Sequence, residues 1–235
     1  MQTVCDSKRN SASIRHAISG GDRPLIRVIT VEREYGSKGA EYAEHLAERL
    51  GWRLIDQCLI EEIAQKAGVT KKLAERCDER LDPWYHRFGK AFWHGSLERL
   101  PAPSDLDVFD SDRMVEFVRD YLTGIAEQGS CVVVGRGAAA MLARAPGAFH
   151  VFVYASMWRK ILWFEENFPE HAREAEQELL ATDRRRAAYI RRYFDQDWTD
   201  RRLYHLMLNS CMGFDAMVQA TIDGAGTLVT EPALR

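Results

Sequence analysis

Leu25-Ile26-Arg27-Val28-Ile29-Thr30-Val31-Glu32-Arg33-Glu34-Tyr35-Gly36-Ser37-Lys38-Gly39 is the stretch on which the reading of the chain turns. Its first seven residues form a short apolar run rich in β-branched side chains, which reads as a buried strand. Residues 32–39 carry two glycines and read as a turn. Ala40, Ala43, Leu46, Ala47 and Leu50 then recur at helical spacing up to Gly51, a natural C-terminal stop. Strand, glycine-containing loop and helix follow in that order, so the domain is expected to begin near Pro24, after a polar, aperiodic and flexible tail over residues 1–23.

The pattern continues outward. Trp52 to Ile55 is a short segment reaching Asp56, which is placed to cap a helix carrying Leu59, Ile60, Ile63 and Ala64 up to Gly68. Between Thr70 and Arg113, prolines 83, 101 and 103 and the aromatics Trp84, Tyr85, Phe88, Phe92 and Trp93 read as an inserted helical lobe, spanning about 56–112. A helix from about Asp112 to Gln128 leads into Cys131-Val132-Val133-Val134, an apolar strand that stops at Gly135-Arg136-Gly137. Ala138 to Ala145 reads as helix and Phe149 to Tyr154 as strand. Met157 to Asp195 reads as a long helical stretch broken near Pro169, His205 to Asn209 as a fifth strand, and Phe214 to Ile222 as a closing helix. Strands alternating with helices predict an α/β domain over 24–235 with a parallel central sheet.

Composition narrows the function. With 32 Lys and Arg against 35 Asp and Glu, the formal charge of −3 supplies no global field for nucleic acid or an anionic membrane, so any anion site must be local. No run approaches the roughly 20 apolar residues of a membrane span, and residues 1–21 lack the apolar core of a secretory signal, which leads to the expectation of a cytoplasmic protein. Five scattered cysteines, with no C-x-x-C and no paired histidines nearby, suggest neither a disulfide framework nor a zinc site. Nothing in the sequence specifies an oligomeric state.

Ligands of open parallel sheets bind beyond the carboxyl ends of the strands, so the strand-end loops carry the candidate chemistry. In Glu32 to Gly39, Gly36 and Gly39 allow backbone amides to turn around an anion while Arg33 or Lys38 supplies charge; the alternative is a plain strand-to-helix turn. Against the strict G-x-x-x-x-G-K-[ST] loop, residues 33–40 place Arg33 and Lys38 where glycines belong, Gly39 where lysine belongs and Ala40 where Ser or Thr belongs. Arg136 between two glycines is suited to a bidentate grip on phosphate, or is a solvated turn residue. The cationic run Arg184-Arg185-Arg186, followed by Arg191-Arg192, is either a lid over a triphosphate or wet surface, since these side chains point around a helix and cannot all face one ligand.

Taken in order, these pieces resemble the cytidylate kinase-like family, a P-loop nucleoside monophosphate kinase branch with a degenerate phosphate loop. Ile29 to Gly39 is similar to its I-T-I-S-R-E-[FY]-G-S-x-G opening, Val132 to Ala138 to I-V-G-R-[CG]-A, Val151 to Ala155 to V-F-[IV]-Y-A, and Thr182 to Tyr189 to T-D-x-x-R-x-x-Y. The resemblance implies a three-layer P-loop kinase-type sandwich with a helical acceptor-binding insertion and an arginine-rich lid over about 170–200. It implies transfer of the γ-phosphoryl group of ATP, with Mg2+, to CMP or dCMP. It puts Arg33, Gly36, Ser37, Lys38, Gly39 and Lys160 on the ATP side, Asp56, Arg113 and Arg136 on the acceptor side, and Lys38, Asp183, Arg184 and Arg186 at the transferred group. Better characterised cytidylate kinases carry an Asp after the G-R pair where this chain has Gly137. The pattern is therefore also compatible with a kinase of another small phosphorylated metabolite, or with a silent nucleotide-binding regulator.

Overall fold

The computed structural model describes residues 26–56 and 105–227, the side chains of 105–114 excepted. The expected tail, the helix expected after Asp56 and the aromatic-rich stretch of the expected lobe lie outside the described residues. Strands β1 (Val28–Arg33), β2 (Arg53–Ile55), β3 (Cys131–Val134), β4 (Ala148–Tyr154) and β5 (Leu206–Asn209) form one sheet in the order β2-β3-β1-β4-β5. Every pairing is parallel, so all carboxyl ends lie along one edge.

Helices cover both faces, as a parallel sheet requires. Ile29 and Val31 of β1 pack with Val151 and Val153 beneath Tyr42 and Leu46 of α1 (Gly39–Leu50) and Met217 and Ile222 of α6 (Phe214–Thr227). Val28 and Val133 point the other way, against Val118 and Leu122 of α2 (Asp105–Gln128) and Ala138 of the short α3 (Ala138–Met141). The period of two along β1 thus divides the core into two layers around the sheet. The described residues thus form the three-layer α/β architecture with a parallel central sheet that was expected. No helix among the described residues is long and apolar enough to cross a membrane.

The elements match the sequence reading with shifts at their ends. Gly51 closes α1 with φ of 65°, its N–H donating to Glu48 while that of Trp52 donates to Ala47. Helix α2 starts before the expected Asp112. The helix expected over Ala138 to Ala145 stops at Met141, because Ala145 N–H bonds to Leu142 and Ala148 N–H to Ala145, two tight turns that swing the chain into β4. The long helical stretch is α4 (Met157–Asn167), a 3-10 turn (Pro169–Glu174) and α5 (Ala175–Phe194), broken at the proline as its fixed φ demands.

The most consequential shift is in β1. It continues through Glu32 and Arg33, which pair with Phe152 and Val153, instead of ending at Val31. Both charged side chains are buried, and they lie at the carboxyl edge of the sheet.

Candidate functional site

The loop after β1 is shaped by its own hydrogen bonds. The hydroxyl of Ser37 donates to the Glu34 carbonyl at 2.8 Å, and the Ser37 N–H reaches the same oxygen at 3.3 Å. Gly36 (φ 75°) and Lys38 (φ 59°) are both left-handed, which folds the loop back onto the start of α1. Lys38 precedes the helix, and the first N–H groups of α1 have no intrahelical acceptor, leaving them available to an anion. The Lys38 side chain is exposed at the crown of the loop.

Behind the loop sits a network of charges. Lys160 of α4 is buried, with Nζ 3.2 Å from Glu34 Oε2 and 3.0 Å from Asp183 Oδ2 of α5. Asp183 Oδ1 accepts from the Tyr35 N–H at 2.7 Å, and Glu34 Oε2 accepts from Ala155 N–H at 3.2 Å. Asp183 and Lys160 therefore tie α4 and α5 to the loop. A methyl group placed on Gly36 would sit 3.0 Å from Leu179 and 3.1 Å from Trp163, so these helices also pack directly over the loop.

Guanidinium groups converge beside this network. Arg186 of α5 is buried, donates from Nη1 to the Arg33 carbonyl at 2.5 Å, and lies 5.7 Å over the ring of Tyr35. Arg33 runs from the end of β1 towards β3, where a methyl group on Gly135 would collide with its Nη1. Half-buried Arg136 sits in a tight turn after β3, closed by the Ala138 N–H to Gly135 carbonyl bond at 3.1 Å; both central residues have positive φ, the sign pattern of a type I′ turn. The chain tethers this turn to β1 through Gly135 N–H and the Val31 carbonyl, 3.0 Å apart.

Burial drives the titration behaviour here. Desolvation pulls Arg33 below the ordinary arginine range, and the neighbouring Arg186 and Arg136 guanidiniums push it further down while Glu32 opposes them. Desolvation likewise lowers Arg186, opposed by Asp183 and Glu32. Glu32 is raised by burial, with Arg33, Arg186, the Trp198 indole and the Gly137 backbone all favouring its charged form. Arg33 and Arg186 thus share the buried Glu32 carboxylate, and Arg136 is near enough to Arg33 to repel it, so cations from three segments meet at the carboxyl edge of the sheet, where an anion would find them.

The expected site residues thus separate. Arg33, Arg136, Lys160, Asp183 and Arg186 come together, around a loop containing Gly36, Ser37 and Gly39. Lys38 and Arg184 are exposed, and Arg185, half-buried, instead bonds Thr182 Oγ1 at 2.8 Å. Asp56 lies half-buried just past β2; Arg113 lies on α2 with its side chain outside the described part. Sequence reasoning assigned no role to Glu32, Glu34 or Tyr35. Their signal was present as three consecutive charges, Glu32-Arg33-Glu34, at the end of an otherwise apolar strand.

Magnesium finds no resident cage among these residues. The position of the Mg2+-ligating hydroxyl in a strict phosphate loop is Ala40, the Ser37 hydroxyl is engaged with Glu34, and the carboxylates of Glu34 and Asp183 share Lys160. Among the described residues no group of three or more His, Cys, Asp or Glu could hold a metal.

Comparison with known proteins follows the same line. A model of the cytidylate kinase-like family matches residues 28–211. No curated protein matches the chain. Among solved structures, an uncharacterised protein from Eubacterium ventriosum is similar at 23% identity and a TM-score of 0.57, covering 83% of this chain and 98% of that one. A shikimate kinase from Acinetobacter baumannii in complex with shikimate aligns at 17% identity and a TM-score of 0.44, covering 84% and 91%. A gluconokinase from Sinorhizobium meliloti aligns at 16% and 0.45, covering 86% and 93%.

Proposed function

Because the chain belongs to the cytidylate kinase-like family, we propose that it is a small-molecule kinase that transfers the γ-phosphoryl group of ATP to a nucleoside monophosphate, CMP or dCMP being the first candidate. One observation carries the reading: buried Arg33 and Arg186, with Arg136 beside them, come from β1, α5 and the turn after β3 to the edge of the sheet where the loop amides open. Phosphoryl transfer needs little covalent chemistry from a protein; it needs positioning and cations around a group whose charge spreads over its oxygens.

In this reading the loop 34–39 and Arg33 hold the phosphates of ATP, and Arg136 grips the phosphate of the acceptor. Arg186, the inward arginine of the lid, faces the transferred group, with Asp183 and Lys160 fixing where the lid sits. An oxygen of the acceptor attacks the γ-phosphorus as the bond to the β,γ-bridging oxygen breaks, and ADP leaves with that electron pair. A phosphate acceptor is already anionic at neutral pH, so no general base is required. Mg2+ enters as part of the co-substrate, bonded to the ATP phosphates.

A second acceptor class is favoured by one feature. Gly137 stands where better characterised cytidylate kinases carry Asp, and a methyl group there would lie 2.5 Å from Phe194 and 2.9 Å from Ile190. The space for that base-reading side chain is filled by α5, which favours another small phosphorylated metabolite. Turnover with MgATP of CMP, dCMP, UMP and a panel of small phosphorylated metabolites separates the readings. Phosphorylation of a pyrimidine monophosphate supports the first and turnover of another metabolite alone supports the second. ATP binding by calorimetry without product from any acceptor rejects both in favour of a nucleotide-binding regulator.

A further inference from the structure

Residues 33 and 39 hold, in exchanged order, the glycine and the cation that a strict phosphate loop requires, and the packing explains the exchange. A methyl group on Gly39 would lie 2.5 Å from Cβ and 2.9 Å from Cγ of Arg33, with Val153 Cβ at 3.2 Å on the other side. Gly39 begins α1 and is not among the glycines with positive φ, so its backbone would accept any L-residue. What excludes a side chain is the stem of Arg33. The same arginine ends against Gly135, where a methyl group would collide with Nη1.

We infer that Arg33 is the phosphate-chain cation of this loop, delivered from the last residue of β1 in place of a lysine from the first turn of α1, and that Gly39 is a glycine so that the Arg33 side chain can lie across it. The inference rests on the nucleotide-binding reading above and specifies which cation serves the loop and how it gets there. Residues 33 and 39 flank the same loop, so a side chain rooted at either one starts at its base. The two roots exclude each other: a lysine at 39 needs position 33 empty, and an arginine at 33 needs position 39 empty. One cation and one glycine are retained in either arrangement.

The chemistry of the exchange suits the surroundings. Arg33 is only 6% exposed, and a guanidinium keeps its charge under burial that would neutralise an ammonium. Its planar fork offers two parallel donors to phosphate oxygens, where a lysine offers a point charge. Arg136 and Arg186 approach it, with Glu32 and Glu41 as the carboxylates that offset their repulsion, so a phosphate reaching Arg33 would meet several cations together. The other cation of the loop, Lys38, is exposed.

The test uses the full chain and two ligands, MgATP and inorganic tripolyphosphate, titrated calorimetrically, with melting temperatures as a second readout. Arg33→Ala is expected to weaken both ligands by about tenfold or more. The exchange Arg33→Gly with Gly39→Lys is expected to bind to within about threefold of the parent, while Arg33→Gly alone stays weak. Gly39→Ala is expected to lower the melting temperature of the parent and to do so far less in Arg33→Gly, which removes the Cβ that a methyl group on residue 39 would meet. Unaltered binding by Arg33→Ala, or an exchange variant no better than Arg33→Gly, overturns the inference. Should the exchange variant not fold, an equal effect of Gly39→Ala in both backgrounds overturns it instead. A parent that binds tripolyphosphate but not ATP rejects the nucleotide reading alone, with Arg33 judged on tripolyphosphate; a parent that binds neither rejects both.

Discussion

Arg184 and Arg186 are two residues apart in sequence and opposite in fate. On α5 a step of two rotates a side chain by about 200°, so Arg184 meets solvent while Arg186 is buried against Tyr35 and the carbonyl of Arg33. A cation that donates to the loop backbone and faces Glu32 and Asp183 is held in place before any ligand arrives, which is what electrostatic preorganisation requires. Arg186→Lys keeps the charge and loses the planar fork; its turnover with the acceptor found in the panel is expected to fall by about 100-fold or more. Arg184→Ala is expected to stay within about twofold of the parent, as for an exposed charge. Steady-state rates for the two variants check this, and comparable losses would show that helical phase does not decide which arginine works. Glu32 sets the opposite limit on the same cluster: a buried carboxylate is costly to remove when, as here, it favours the charged form of two buried guanidiniums at once.

Among the elements, α5 does two jobs, and both trace to glycines in the strand-end turns. It packs over Gly36 through Leu179 and against Gly137 through Ile190 and Phe194. Gly137 also has φ of 68°, so any side chain there meets backbone strain and a filled space together. Gly137→Ala is expected to lower the unfolding free energy by about 1–3 kcal/mol; urea unfolding measures it, and a loss below about 0.5 kcal/mol would mean that α5 yields readily. The order and type of the described elements were legible in the sequence because hydrophobic periodicity reports which side of an element is buried, as the alternation of Val28, Ile29 and Val31 between the two layers illustrates. The end of β1 was not legible, because charged residues ordinarily end a buried strand, and Glu32 and Arg33 continue this one with partners that are distant in sequence. The convergence of Arg33, Arg136, Lys160, Asp183 and Arg186 was legible only as a set of motifs; which arginine turns inward depends on the phase of α5 against the loop, which a charge run does not encode.

On the scale of the whole molecule, the sheet is held across its middle by a polar contact remote from the site. The His150 ring of β4 lies 2.8 Å through Nδ1 from the Thr30 hydroxyl of β1 and stacks on His205, whose own Nδ1 accepts from the His150 N–H at 2.9 Å. Burial, reinforced by His205, lowers the His150 imidazole to about 4, so it stays neutral in the folded protein at pH values where a free histidine is already protonated. Burial lowers His205 as well. Between the ordinary imidazole range and pH 4 the unfolded chain therefore binds protons that the folded chain excludes, and stability must fall as the pH falls through that window. From His150 alone the loss between pH 7 and pH 5 is expected to be about 2 kcal/mol. Urea unfolding at both pH values measures it, and His150→Gln, which removes the titrating ring, should flatten the difference. Because Thr30 and His150 lie on the two strands that lead to Arg33 and Tyr154 at the carboxyl edge, acid is expected to loosen the scaffold beneath the arginine cluster while the guanidiniums remain charged. Loss of ATP binding on acidification that tracks unfolding is then the mark of the two histidines, while a binding transition well above the unfolding one would point instead to Glu32, which burial raises within the cluster.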